Sequence, residues 1–172
     1  MLPPDPLEVF PLVVMGVSGS GKSTIGALLA SRLGWSFLEG DDFHPSSNLE
    51  KMSRGIALSD ADRHPWLEAL GQTMSTLWGT GRPCVVACSA LRRSYRQQLC
   101  SWVAQARFIH LDIDPTTLAG RLGTRTGHFA DARLSASQLA TLEPPAQSEA
   151  LVVDASRGPS EIVAEIRTRF GI

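Results

Sequence analysis

The sequence predicts an α/β fold, a parallel sheet with helices on both faces, and three observations predict it. Five short apolar runs, at about 9–15, 35–39, 83–88, 107–112 and 150–153, alternate with stretches of helical periodicity. The runs VVM, VVAC and ALVV are apolar at consecutive positions, so both faces of each strand are buried, as a covered parallel sheet requires. At 172 residues with 43% hydrophobic and 19% charged content, the chain has the size and balance of one globular domain, 1–172.

Each element has its own local signal. The first strand, VFPLVVM, runs into GVSGSGKST, and a helix follows over 22–33 with Gly34 as its stop. WSFLE reads as the second strand, and a helix over 66–78 ends near Gly79 and Gly81. PCVVAC, RFIHLD and ALVV supply the remaining strands. Between and after them, helices are expected at 91–101, at 115–124 behind Pro115, at 135–142 behind Ser135, and at 160–170 before Gly171. The segments 40–65 and 124–140 are longer than ordinary connections and leave the edge of the sheet where open α/β folds bind ligands. Residues 1–9, rich in acids and prolines, read as a loose arm and not as a signal sequence.

Composition narrows the function. The net charge is −1 with no basic concentration, which argues against a nucleic-acid surface, and no apolar run is long enough for a membrane span. Cys84, Cys88 and Cys100 are odd in number, and the first two lie in an apolar run, so they read as packing thiols of a cytoplasmic protein.

The glycine run carries the strongest chemical signal. Gly16-x-x-x-x-Gly21-Lys22-Ser23 is a phosphate-binding loop pattern standing in its required context, strand before and helix after. Glycines let the backbone fold its N–H groups inward around a polyanion, and the helix adds the positive end of its dipole. Lys22, one of only two lysines, meets the outer phosphates, and Ser23 offers a hydroxyl to Mg²⁺. Gly16, Ser18, Gly19, Ser20, Gly21, Lys22, Ser23 and Thr24 are therefore the expected ATP site. The chain lacks the Asn-Lys-x-Asp reader of guanine and the strand-end acidic pair of ATPase motors, so a small-molecule kinase fits best. Asp41, after the second strand, stands where a carboxylate could take a proton from an attacking hydroxyl or hold water on Mg²⁺. His44 reads equally well as a turn histidine.

The segments GVSGSGKST, GDDFHP, NLEKMSRGIALSDADRHPWL, VVACSALRRSYR, RLGTRTGHF and SQLATLEPP, in that order from about Val13 to Pro145, resemble bacterial gluconokinases. The resemblance implies a three-layer P-loop kinase fold with a five-stranded parallel sheet, a substrate-binding insertion at 40–65 and a lid at 124–140. It implies transfer of a phosphoryl group from ATP, with Mg²⁺, to the 6-hydroxyl of D-gluconate, and it suggests a homodimer. Carried over by residue, it makes Asp41 the general base and Mg²⁺-shell acid, and turns His44, Lys51 and Arg54 toward gluconate; without it, Lys51 and Arg54 read as a solvated helix face. Arg92 and Arg96, one turn apart, form a plausible anion clamp, although the family often has Lys where Arg92 stands. Arg121 and Arg125 are expected to balance charge on the moving phosphoryl, or else simply to favour a helix end. Gln138 is a candidate substrate or lid contact. Where the family shows Met-Pro after GHF, this chain has Ala130 and Asp131. Two other readings share the loop: a kinase for another hydroxy acid such as shikimate, and a nucleotide-binding regulator.

Overall fold

The computed structural model describes residues 9–123 and 128–172, with backbone alone over 128–132. Five strands, β1 (Leu12–Met15), β2 (Ser36–Glu39), β3 (Cys84–Ala87), β4 (Arg107–Asp112) and β5 (Ala150–Asp154), pair in parallel in the order β2-β3-β1-β4-β5. The helices are α1 (Lys22–Leu33), α2 (Ser46–Ser53), α3 (Asp60–Gly79), α4 (Arg93–Trp102), α5 (Pro115–Gly123), α6 (His128–Thr141) and α7 (Pro159–Phe170).

The alternation of side chains along β1 divides the core. Leu12 and Val14 face Ile25 and Leu29 of α1 and Ile162 and Ile166 of α7. Val13 and Met15 face the opposite layer, made by Trp66, Leu67, Leu70 and Met74 of α3 with Tyr95 and Leu99 of α4. Both faces of the sheet are thus covered, which fits the fully buried, apolar positions of β1 and β3. The connection from β1 leads toward one edge of the sheet and that from β4 toward the other, so a crevice opens at the C-terminal end of β1.

The structure departs from the sequence reading in three places. Helix α3 starts at Asp60 and not at 66, because Ser59 and Asp62 close a capping box that carries the helix through Pro65. Helix α6 starts at His128 and not at 135, and Ser135 lies buried inside it, its hydroxyl turned to another segment instead of capping. The 40–65 excursion holds structure of its own: a 3-10 turn at Gly40–Phe43 and the helix α2. Among the described residues no helix is long and apolar enough to cross a membrane.

Candidate active site

The loop between β1 and α1 has the shape its glycines allow. Gly19 and Gly21 adopt φ of 85° and 101°, where a side chain would be strained, and a Cβ on Gly19 would also press to 2.9 Å from Leu118 of α5. The Ser20 N–H closes a turn on the Val17 carbonyl, and Ile25 makes the first helical bond back to Gly21. No side chain caps α1, so its first-turn N–H groups are left for a ligand.

Lys22 folds back over this hollow, its Nζ donating to the Val17 carbonyl at 3.1 Å. Burial pulls its pKa down, and the negative charge of Asp41, with Glu39 contributing less, draws it part of the way back. Lys22 thus lies within electrostatic reach of Glu39 at the end of β2 and of Asp41 just beyond it. Ser23 Oγ donates to Glu39 Oε2 at 2.5 Å, so the hydroxyl and a carboxylate meet beside the loop. Glu39 escaped the sequence reading; the signal was its place as the last residue of β2, level with the mouth of the loop. Gly40 then lets β2 close on β3, since a Cβ there would stand 2.3 Å from the Ala87 carbonyl oxygen. Cys88, buried just past the end of β3 beside Gly40, has a thiol that burial pushes up to about 12, so it stays neutral.

Asp41 sits on the 3-10 turn with its side chain 83% exposed, 3.9 Å from His44 Nε2. The His44 ring is buried and stacked on Trp66, with centroids 4.2 Å apart and planes 18° from parallel. Trp66 in turn donates its indole N–H to the Gly40 carbonyl at 2.7 Å. Burial lowers the His44 pKa, with Asp41 raising it and Arg63 lowering it further, which favours the neutral ring. Asn48, whose Nδ2 lies 3.2 Å from His44 Nδ1, and Trp66, both unforeseen in the sequence, are what hold this histidine.

The remaining expected residues scatter. Lys51 donates to Asp62 Oδ1 at 2.7 Å, and with Ser59 it holds the Asp62 carboxyl down at about 2. Arg54 is exposed beside Glu50. Arg92 pairs with Asp60 at 3.1 Å, and the same carboxylate accepts from the Tyr95 hydroxyl. Arg96 does not share a clamp face with Arg92, which corrects the expectation. It is 5% exposed, and its Nη1 donates to the carbonyls of Ala90 and Leu91. Ala90 adopts a φ of 44° without being glycine, and Arg96 ties down the carbonyl of that strained turn. Its other side faces Glu149 at 3.9 Å. Arg121 reaches the Ser20 carbonyl at 3.3 Å and the Ala155 carbonyl, spanning the phosphate loop and the turn after β5. Arg125 lies outside the described residues, as do the side chains of Ala130 and Asp131. Gln138 meets the loop itself: its Oε1 accepts from the Ser18 N–H at 2.6 Å, while Ser135 Oγ donates to the Ser18 carbonyl at 3.1 Å. Helix α6 therefore grips both backbone polar groups of Ser18.

A strand-loop-helix anion hollow, a lysine over it and acids on the next strand define a phosphate-loop kinase; the AAA domain family matches residues 12–145. Within that class, the chain is 47% identical over 160 residues to a gluconokinase of Gluconobacter oxydans (strain 621H), covering 92% of this chain and 90% of the relative. A gluconokinase structure from Sinorhizobium meliloti 1021 superposes with a TM-score of 0.83 at 42% identity, covering 94% and 91% of the two chains. An unliganded sugar kinase structure from Janibacter sp. HTCC2649 gives a TM-score of 0.89 at 41% identity, with 95% of each chain covered. The chain belongs to the gluconokinase family.

Proposed function

We propose that this chain transfers the γ-phosphoryl of ATP to the 6-hydroxyl of D-gluconate, giving 6-phospho-D-gluconate and ADP. The observation that carries the reading is the phosphate loop, with its uncapped helix start and Lys22 folded over it, set beside the Ser23–Glu39 pair and the exposed Asp41 carboxylate. The family's relatives supply the choice of acceptor.

The loop N–H groups and the start of α1 bind the phosphates, and Lys22 leaves the Val17 carbonyl to meet the outer ones. Asp41 takes the proton of the 6-hydroxyl as its oxygen attacks the γ-phosphorus and the bond to the β-phosphate oxygen breaks. Exposure of the Asp41 side chain leaves it open to an incoming substrate. Mg²⁺ fits the paired hydroxyl of Ser23 and carboxylate of Glu39, a hard-oxygen set of the kind this ion shares with nucleotide phosphates. When bound, it neutralises charge on the outer phosphates. Asp41 completes the acidic side of that site, and Arg121 and Arg125 balance charge as the phosphoryl moves. The gluconate carboxylate and hydroxyls fall to the excursion, with His44, Lys51, Arg54 and Arg92 as partners; Lys51 and Arg92 are held in place by Asp62 and Asp60. The compartment we assign is the cytoplasm, and the dimer implied by the family resemblance is checked by light scattering.

The test is ADP release from MgATP against a panel of sugar acids and hydroxy acids. Gluconate should give the highest kcat/KM; equal or better turnover of another acid removes it. Asp41→Ala should abolish turnover while nucleotide affinity persists, and undiminished turnover would take Asp41 out of its role.

A further inference from the structure

Asn48 is 1% exposed, and a single atom of it makes two contacts. Its Nδ2 donates to the Asp62 carbonyl at 2.8 Å and lies 3.2 Å from His44 Nδ1. A backbone carbonyl only accepts, so the atom facing Asp62 is the amide nitrogen and not the amide oxygen. That nitrogen carries a second hydrogen, which points at His44 Nδ1. The ring nitrogen therefore accepts and bears no proton of its own. In the neutral imidazole the one N–H then belongs to Nε2, the nitrogen that faces Asp41 at 3.9 Å. Rotation of the ring is restrained by Trp66, stacked on its face and itself fastened to Gly40.

We propose that Asn48 is a positioning residue that holds His44 in the Nε2–H tautomer, so that His44 offers the acceptor hydroxyl beside Asp41 a hydrogen-bond donor and no basic lone pair. The inference rests on the proposed transfer to that hydroxyl. It divides the labour there. The proton released as the oxygen–phosphorus bond forms goes to the Asp41 carboxylate, and His44 keeps its own while orienting the hydroxyl oxygen. Three elements converge on this arrangement: the 3-10 turn brings Asp41, α2 brings Asn48, and α3 brings Trp66 and the Asp62 carbonyl. Among them, Asn48 touches no reacting atom and acts through His44 alone.

The tautomer is read directly from a two-bond ¹H–¹⁵N correlation spectrum of the full chain labelled at histidine, without nucleotide or substrate. His44 signals are assigned by their loss in His44→Gln. Wild type should show a protonated Nε2 and a bare Nδ1. In Asn48→Asp the donor is gone, so the proton should move to Nδ1, and kcat with gluconate should fall about ten- to hundredfold from the misplaced donor. ATP affinity by calorimetry should persist. His44→Gln, whose amide sets an N–H near the place of Nε2, should keep more turnover than His44→Leu. A wild-type ring protonated at Nδ1, or a spectrum unmoved in Asn48→Asp, overturns the inference. Because the spectrum is recorded without substrate, a failure of gluconate turnover would count against the proposed reaction and not against the tautomer.

Discussion

Gly40→Ala should separate nucleotide binding from catalysis with one methyl group. The added Cβ would stand 2.3 Å from the Ala87 carbonyl oxygen and 3.3 Å from Cys88. An ordinary carbon–oxygen contact is about 3.3 Å, so the ends of β2 and β3 must part by about 1 Å. The obstacle is backbone on a fully buried strand, which cannot turn aside as a side chain would. Gly40 lies between Glu39 and Asp41, so both carboxylates move with it. A displacement of that size is worth about a hundredfold in kcat. Overpacking of this kind costs about 1–3 kcal/mol. For a domain of this size that lowers Tm by about 2 to 12 °C. The phosphate loop hangs from β1 and α1 instead, so ATP affinity should be retained. Steady-state ADP release, calorimetric titration with ATP and a thermal melt read the three quantities. Wild-type kcat at an unchanged Tm would refute the packing argument, and loss of ATP affinity in step with kcat would refute the separation.

Three further outcomes follow from the site. Lys22→Met should abolish turnover yet raise the Tm of the nucleotide-free protein by a few degrees, because it removes a charge that burial penalises; a lower Tm in the melt would contradict this. Glu39→Gln keeps a partner for Ser23 but removes a charge, so the Mg²⁺ concentration for half-maximal rate should rise about tenfold; an unshifted titration removes Glu39 from the metal site. The Asp62 carboxyl is held at about 2 against an ordinary 3.8. A depressed carboxylate stabilises the fold above its unfolded pKa and loses that contribution as pH falls toward its folded value. The urea-midpoint gap between wild type and Asp62→Asn should therefore narrow as pH drops from 4 toward 2, and a constant gap would count against the ion pair.

Much of the fold was legible because its signals are local. The apolar runs at β1, β3 and β4 and the Gly34 stop of α1 need no knowledge of distant residues. Helix α3 hid its first turn because Pro65 reads as a breaker, while the Ser59–Asp62 box that outweighs it is a short polar pattern without apolar periodicity. The phosphate loop was readable for the same local reason. Its surroundings were not. Glu39 earns its place by meeting Ser23 across the gap between β2 and α1, and Gln138, expected as a substrate or lid contact, instead meets the Ser18 N–H from 120 residues away. Arg96 was expected to clamp an anion with Arg92 because helical spacing fixes which residues share a face but not whether that face meets solvent or core.

The double hold of Ser135 and Gln138 on Ser18 has a mechanical consequence. Widening the hollow strains two bolts at once, so the nucleotide's tail and the helix beyond it feel each other's load. A pull on that helix would be transmitted to the peptide at the lip of the cradle before any side chain there had moved.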